Sequence, residues 1–214
     1  MEEVLPALGA GIVSTAVCNP LDTLRVNYQL KNKIKFTPSF LYRGISYGIL
    51  AVPAFWTIYF PLYKKLKEAD LPRPMASYVS SCAGSTFTTP LWVLRQRLQT
   101  GRPTNISLIS CYSGLVPTYL INLSFTIQVP LYEYLRELNG NSVMYTFINT
   151  SVAKTVASCV FYPFDTMRAK FRNSETLKFM KPLDFYRGLG IYLLRSIPYH
   201  ATVFCTFEFI KNLM

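Results

Sequence analysis

The chain has 214 residues, of which 50% are hydrophobic and 15% charged, and its formal net charge is +11. A chain this apolar and this poor in charge is unlike a soluble domain and is typical of a membrane protein. The basic residues are scattered through short segments and form no polybasic face, which argues against nucleic-acid binding. The N-terminal residues resemble neither a secretory signal nor a transit peptide, so we expect any targeting signal to be internal.

Six largely apolar segments follow one another along the chain, at residues 4–30, 45–66, 74–99, 115–137, 143–171 and 189–211. Each is long enough to cross the roughly 30 Å hydrocarbon core as a helix that rises about 1.5 Å per residue. Backbone groups in lipid must pair within their own segment, so the sequence predicts an all-α membrane protein with six transmembrane helices. The loops after the first, third and fifth segments hold most of the Lys and Arg, so we expect them to face the matrix or a cytosol-like side.

One sequence unit occurs three times, as "NPLDTLRVNYQ", "TPLWVLRQRLQ" and "YPFDTMRAKFR". The prolines of these copies are Pro20, Pro90 and Pro163. A second motif, "YRG", "YSG" or "YRG", follows each proline after 24, 24 or 25 residues and ends at Gly44, Gly114 or Gly188. The constant spacing divides the chain into three tandem two-helix repeats, which we place at residues 1–69, 70–140 and 141–214.

Each signature proline removes one backbone donor and kinks its helix, which lets the three odd-numbered helices converge. Residues spaced by three or four then form one polar stripe on each helix, such as Thr15, Cys18 and Asp22 on the first. We expect these stripes to face a central cavity, because they are too polar for a lipid-facing surface. The alternative is a bundle that packs tightly through small polar side chains.

These motifs resemble the mitochondrial carrier family, whose signature is P-x-[DE]-x-x-[KR] followed by an aromatic-[KR]-G, and the resemblance covers essentially the whole chain. It implies a pseudo-threefold barrel of three repeats that opens alternately to the two sides of a membrane. Such a carrier is a transporter and not an enzyme, and we expect a monomer that needs no cofactor. The five cysteines show no metal-ligand spacing, so no metal site is expected. The chain is shorter than most family members and lacks the acidic-glycine pair that they carry ahead of the second motif.

The resemblance implies a matrix gate, in which the acid two residues after one proline pairs with the base five residues after the next. Carried over, the gate comprises Asp22, Arg25, Gln29, Arg95, Gln99 and Asp165, with the two glutamines as braces. Asp22 is expected to pair with Arg95. In the same way, Asp165 is expected to pair with Arg25.

The middle repeat departs from this pattern, because Trp92 stands where the family has an acid. Arg168 is therefore expected to lack its partner, and the third brace position is occupied by Arg172. A tryptophan here also resembles the members that carry nucleotides and nucleotide cofactors. Trp92 either offers its ring to a base or fills the floor of the cavity.

A second gate is implied near the ends of the even-numbered helices, where the family has [FY]-[DE]-x-x-[KR]. Its residues in this chain are Lys67, Tyr132, Glu133, Arg136, Phe207, Glu208 and Lys211, while Lys64 replaces the acid in the first repeat. A static scaffold has no use for opposed ionic rings, whereas a two-state transporter breaks one ring while it forms the other.

The substrate is expected to contact the middle of the even-numbered helices, seven residues after each glycine. The candidate substrate-binding residues are Ala51, Trp92, Ile121, Asn122, Lys154, Arg168 and Arg195. Three of these are cations with no free acid on the same stripes, because Asp165 is expected to pair with Arg25, and this surplus suits the phosphate groups of a polyanion.

The sequence therefore predicts exchange of nucleotides or nucleotide-like phosphorylated cofactors by alternating access. Two alternatives stay open: a carrier of small carboxylates, and a carrier-derived receptor or scaffold that does not transport. We expect the mitochondrial inner membrane, with the peroxisomal membrane as the alternative. Cardiolipin is expected at the helix starts near Gly44, Gly114 and Gly188.

Overall fold

The computed structural model describes residues 4–140, 143–175, 181–196, 198–199 and 202, and this part of the chain is helical without any strand. The helices are α1 (Val4–Gln29), α2 (Pro38–Leu41), α3 (Ile45–Glu68), α4 (Arg73–Thr100), α5 (Leu115–Asn122), α6 (Ser124–Asn139) and α7 (Val143–Arg172). Short 3-10 helices cover Ile109–Tyr112 and Pro182–Tyr186, and residues 189–196 are helical. The all-α class is confirmed.

The helix boundaries agree closely with the first five apolar segments, with one difference in the second repeat, and the end of the sixth lies outside the described residues. There a single residue, Leu123, separates α5 from α6. Its backbone keeps helical angles, φ −57° and ψ −19°, and its N–H donates to the carbonyl oxygen of Tyr119 at 3.3 Å. The two helices therefore continue one another as a single, locally distorted helix.

Apolarity alone identifies fewer membrane spans than the six that the sequence predicts. Within the described part of the chain, one helical stretch, Pro38–Glu68, is long and apolar enough to cross a membrane by length and composition. The first long helices of the three repeats, α1, α4 and α7, contain serines, threonines and signature charges, which lower their mean hydropathy. The six-span arrangement therefore stays a prediction.

The helices α1, α4 and α7 bury small polar residues, and α1 and α7 expose valines. On α1, Ser14, Asn19 and Thr23 are fully buried, whereas Val17 is 50% exposed. On α7 the exposed row is Val152, Val156 and Val160. This pattern is the reverse of a water-soluble helix. It places the polar stripes at the centre of the bundle and an apolar surface on the outside.

The second-motif glycines show how the three repeats pack around one centre. All three have positive φ, between 71° and 90°. A Cβ atom on Gly44 would lie 2.7 Å from the carbonyl oxygen of Arg95, and one on Gly114 would lie 3.2 Å from that of Arg168. On Gly188, the corresponding distance to the carbonyl oxygen of Arg25 is 3.6 Å. Each glycine thus allows one repeat to pack against the signature base of the next, and the third against the first.

Candidate functional site

The site lies where α1, α4 and α7 approach one another beyond their signature prolines. The three helices form three junctions, α1–α4, α4–α7 and α1–α7, and each junction contains side chains from one stripe of each helix. Because these side chains lie on the last turns of long helices, their positions are set by the kinks and by the packing of the repeats.

The α1–α7 junction is ionic. Asp165 accepts hydrogen bonds from Arg25 of α1 and from Arg168 of its own helix. Gln29 adds a third donor, with its Nε2 atom 2.9 Å from Asp165 Oδ2 and 3.0 Å from the hydroxyl of Tyr162. Asp165 is only 7% exposed, so its charge depends on these donors instead of water.

The α1–α4 junction is also ionic, with Arg95 Nη2 lying 3.2 Å from Asp22 Oδ2. The same nitrogen donates to Asn19 Oδ1 at 2.9 Å. Nearer the helix ends, Gln99 Nε2 donates to Thr23 Oγ1 at 3.2 Å. The glutamine thus braces this junction through a hydroxyl, whereas Gln29 braces the α1–α7 junction through the carboxylate itself.

Arg195 is paired, contrary to the expectation of a cation without an acid. Its Nε atom lies 3.2 Å from Asp22 Oδ1, and its guanidinium group lies over the rings of Tyr192 and Tyr199, with 5.5 and 5.2 Å to the ring centroids. The sequence shows only which acids share the stripe of Arg195, whereas the tertiary fold brings Asp22 from another helix. Asp22 therefore serves two arginines, Arg95 and Arg195.

The α4–α7 junction contains Trp92 and is neutral at the signature positions, where hydrogen bonds to uncharged oxygen atoms hold the helices together. An ion pair between Arg102 and Glu175, at 3.0 Å, lies just beyond the helix ends. Gln96 Nε2 donates to the carbonyl oxygen of Ala169 at 2.7 Å. Thr100 Oγ1 donates to Asn173 Oδ1 at 2.6 Å. Arg97 donates to the carbonyl oxygen of Arg172 at 3.0 Å and to Ser174 Oγ at 2.8 Å. These bonds join the helices at the place where the acid is missing.

One expectation about this junction is wrong, and the role of Trp92 stays a prediction. Arg168 is not unpaired, because residues three apart lie on one face of a helix and Asp165 reaches it on α7 itself. Trp92 contacts the arginine of its own helix, with the Arg95 guanidinium 5.2 Å from the ring centroid. This cation–π contact supports the arginine that pairs with Asp22, and it gives Arg168 no substitute for the missing carboxylate.

The other candidate substrate contacts lie in different surroundings. Ala51 is fully buried, and the Asn122 amide donates to Ser85 Oγ at 3.1 Å. Ile121 and Lys154 are half-buried. The four residues therefore differ in exposure, from the fully buried Ala51 to the half-buried Lys154.

At the opposite end of the bundle, Glu133 pairs with a residue outside the predicted second gate. Glu133 forms an ion pair with Arg73 at the start of α4, with 2.9 Å between Oε1 and Nη1, and both side chains are substantially exposed. Tyr132 is half-buried, and Lys67 and Arg136 are exposed. The remaining members of this gate, Phe207, Glu208 and Lys211, lie outside the described residues.

The structure adds site residues that were not predicted from the sequence motifs. Asn19 and Tyr162 both precede a signature proline, are buried, and bind a gate residue. Gln96 and Arg97 bridge to α7 through backbone oxygens. A scan of fixed offsets from the prolines would have found the first two. The bridges of the other two depend on carbonyl positions, which the sequence does not show.

Within the described residues, no group of three or more His, Cys, Asp or Glu side chains could hold a metal ion. The site is instead a ring of arginines and carboxylates closed by amides. This arrangement can bind anions and can change between paired and unpaired states.

Comparison with known proteins identifies the family. No family model matches the chain. The chain is 30% identical to the mitochondrial nicotinamide adenine dinucleotide transporter 2 of Arabidopsis thaliana, over 97% of this chain and 79% of the relative. It is 26% identical to mitochondrial substrate carrier family protein W of Dictyostelium discoideum, over 99% and 86%. The chain belongs to the mitochondrial carrier family. Members of this family are transporters and not enzymes.

A further relative is the mitochondrial FAD carrier protein of Saccharomyces cerevisiae, 24% identical over 99% of the chain and 96% of the relative. The first alignment covers 289 positions although this carrier has 214 residues, so the relative has internal segments that the carrier lacks. The named relatives are mitochondrial, and a chloroplastic transporter is also similar, which indicates an organelle membrane.

Proposed function

We propose that this carrier exchanges nucleotides or nucleotide-like phosphorylated cofactors across the mitochondrial inner membrane by alternating access through six membrane-spanning helices. The observation that carries the proposal is the sharing of Asp22 between Arg95 and Arg195. Arg195 is a half-buried cation next to aromatic rings, and a phosphate group is a better partner for it than a carboxylate that it shares with Arg95. The names of the relatives, which refer to NAD and FAD, support the same substrate class.

The shared carboxylate also suggests how substrate and gate are coupled. When a phosphate group binds Arg195, Asp22 loses one of its two arginines and the Asp22–Arg95 pair changes. By linkage, the opening of that pair must in turn change the affinity of Arg195 for phosphate. We propose that the described conformation is the one closed at the matrix gate, since both expected ion pairs are formed there while Glu133 binds Arg73.

We also propose that cardiolipin binds near Gly188. A groove there is lined by Tyr28, Leu183, Arg187 and Leu194 among others, and Arg187 offers a cation for a phosphate headgroup. Asp184 lines the same groove, but its carboxylate is engaged by Lys31 at 3.0 Å. The carrier would work as a monomer with lipid at each repeat.

Transport into proteoliposomes tests the main proposal. Vesicles that contain the purified carrier and are preloaded with NAD, FAD and nucleoside phosphates should take up a labelled nucleotide by exchange. Arg195→Ala should abolish this uptake, whereas Lys65→Ala, at an exposed position on α3, should not. Exchange of malate without any nucleotide would indicate a carboxylate carrier. No exchange at all by a folded preparation would indicate a scaffold.

A further inference from the structure

A small cavity of about 80 Å³ lies between the ends of α1, α4 and α7, among the gate side chains. Its charged lining residues are Asp22, Arg25, Asp165, Arg168 and Arg172. Ligand pockets for drug-sized molecules measure roughly 300 Å³ or more. The cavity is therefore too small for a nucleotide, and its size suits a few waters or one tetrahedral oxyanion.

The carboxylates at this cavity are already engaged. Asp165 binds Arg25 and Arg168, and Asp22 binds Arg95 and Arg195. Four arginines thus share two acids. Arg172 is a fifth arginine, and within the described part of the chain it has no carboxylate partner.

Arg172 is both buried and poorly hydrogen-bonded. The residue is 5% exposed, its Nη2 atom lies 3.5 Å from Thr118 Oγ1, and its Nε atom has no hydrogen-bond partner. Arg97 is also buried, at 6% exposed, but it donates to three oxygen atoms. A buried guanidinium without an acid is costly unless an anion pairs with it.

The position of Arg172 also distinguishes it from the other repeats. The residues nine positions after the first two prolines are Gln29 and Gln99, which are neutral. The positive charge occurs only in the third copy, on the junction whose acid is replaced by Trp92. A negative charge is therefore missing where an additional positive charge is present.

We infer that Arg172 and Arg168 bind one phosphate-sized oxyanion in this cavity. The site is separate from Arg195 and goes beyond the proposed transport function. The anion is either free inorganic phosphate or a phosphoryl group of a nucleotide, since both present the same oxygens to a guanidinium group. Its binding neutralises the excess charge of the closed gate and stabilises this conformation by linkage.

Thermal unfolding of the detergent-solubilised carrier tests the inference. The probes are inorganic phosphate, sulfate, AMP and NAD, each compared with chloride at equal ionic strength. We expect an oxyanion-dependent rise in the melting temperature of the wild type. Arg172→Gln, which introduces the residue of the other two repeats, should weaken the apparent affinity at least about tenfold, the loss expected for a charge-assisted hydrogen bond.

Matched variants separate this site from general charge effects. Lys65→Gln removes one exposed positive charge and should keep the wild-type response. Arg172→Lys keeps the charge without the planar fork and should give an intermediate affinity. Gel filtration should show that each variant is monodisperse.

The responses to the probes identify the source of the anion. A response to phosphate and sulfate that depends on Arg172 indicates a free oxyanion. A response to AMP or NAD alone that depends on Arg172 indicates a nucleotide phosphoryl group. The inference is overturned if no probe stabilises the wild type, or if Arg172→Gln responds as the wild type does. Because transport is not measured, the proposed exchange function can stand or fail independently.

Discussion

The α1–α7 and α4–α7 junctions both hold two helix ends together, but they do so through different interactions. At the first, one buried carboxylate binds two arginines and a glutamine. At the second, Trp92 replaces the acid, and hydrogen bonds from Gln96, Arg97 and Thr100 reach α7. The comparison shows that closure of this ring does not require an ion pair at every junction.

The two junctions also differ in the conditions that favour their opening. An ion pair that leaves a low-dielectric site must be replaced by water or another charge, so its opening responds to anions and to salt. Hydrogen bonds to backbone oxygens are shorter in range and less sensitive to salt. We therefore expect the α1–α7 junction to respond to substrate charge and the α4–α7 junction to act mainly as a structural contact.

The largest effect is expected when the ionic junction is broken. Asp165→Asn keeps the shape of the side chain but leaves Arg25 and Arg168 without their carboxylate. Removal of one partner of a buried pair typically costs about 3–5 kcal/mol. Thermal unfolding in detergent should show a strongly reduced melting temperature, and exchange should be impaired. An unchanged melting temperature would mean that water or lipid already satisfies the two arginines.

A smaller loss is expected at the neutral junction. Arg97→Gln removes donors to the carbonyl oxygen of Arg172 and to Ser174 Oγ. Loss of hydrogen bonds from a charged donor should cost about 2 kcal/mol of unfolding free energy. The destabilisation should be nearly independent of salt, which unfolding at low and high sodium chloride can check. Arg97→Lys is the control that retains the charge, and a strong salt dependence would contradict the assignment.

An acid at position 92 would make the neutral α4–α7 junction ionic, which tests whether Arg168 can accept a new partner. Trp92→Asp places an acid opposite Arg168 and adds a third ionic bridge to the ring. A gain of about 1.4 kcal/mol in the closed state would shift the population about tenfold. We expect a higher melting temperature and slower nucleotide exchange, whereas Trp92→Asn should show neither gain. Equal behaviour of the Asp and Asn variants would show that Arg168 does not accept a new partner.

The smallest effect is expected at the surface pair of Asp184 and Lys31. The hydrogen bond from Lys31 lowers the pKa of Asp184 below its ordinary value. Because the pKa is lower in the folded state, the charged carboxylate stabilises the fold when the pH is above the ordinary pKa of aspartate, about 3.9. This stabilisation disappears as the pH falls through the folded-state pKa. Asp184→Asn should therefore remove a slight difference in melting temperature between pH 7 and pH 3. Exposed pairs contribute little, so a large change would contradict this interpretation.

Much of the site could be predicted from the spacing of the signature residues. Asp22 with Arg95 and Asp165 with Arg25 follow from offsets of two and five after the prolines, because helical periodicity places these residues on one face. The pairing of Arg195 with Asp22 could not be predicted in this way. It depends on how deeply the helix that contains Arg195 lies against α1, and no offset in the sequence gives that depth.

The family resemblance, the three copies of the signature motif, the helical class and the junction that lacks an acid all follow from the amino-acid sequence. These properties are local, since a proline kinks its own helix and a three- or four-residue period defines one face. The partners of Arg168, Arg195 and Arg172 depend on the tertiary structure instead. Electrostatic pairing depends on distances between helices and on exclusion of water, and both arise only when the three repeats pack around a common centre.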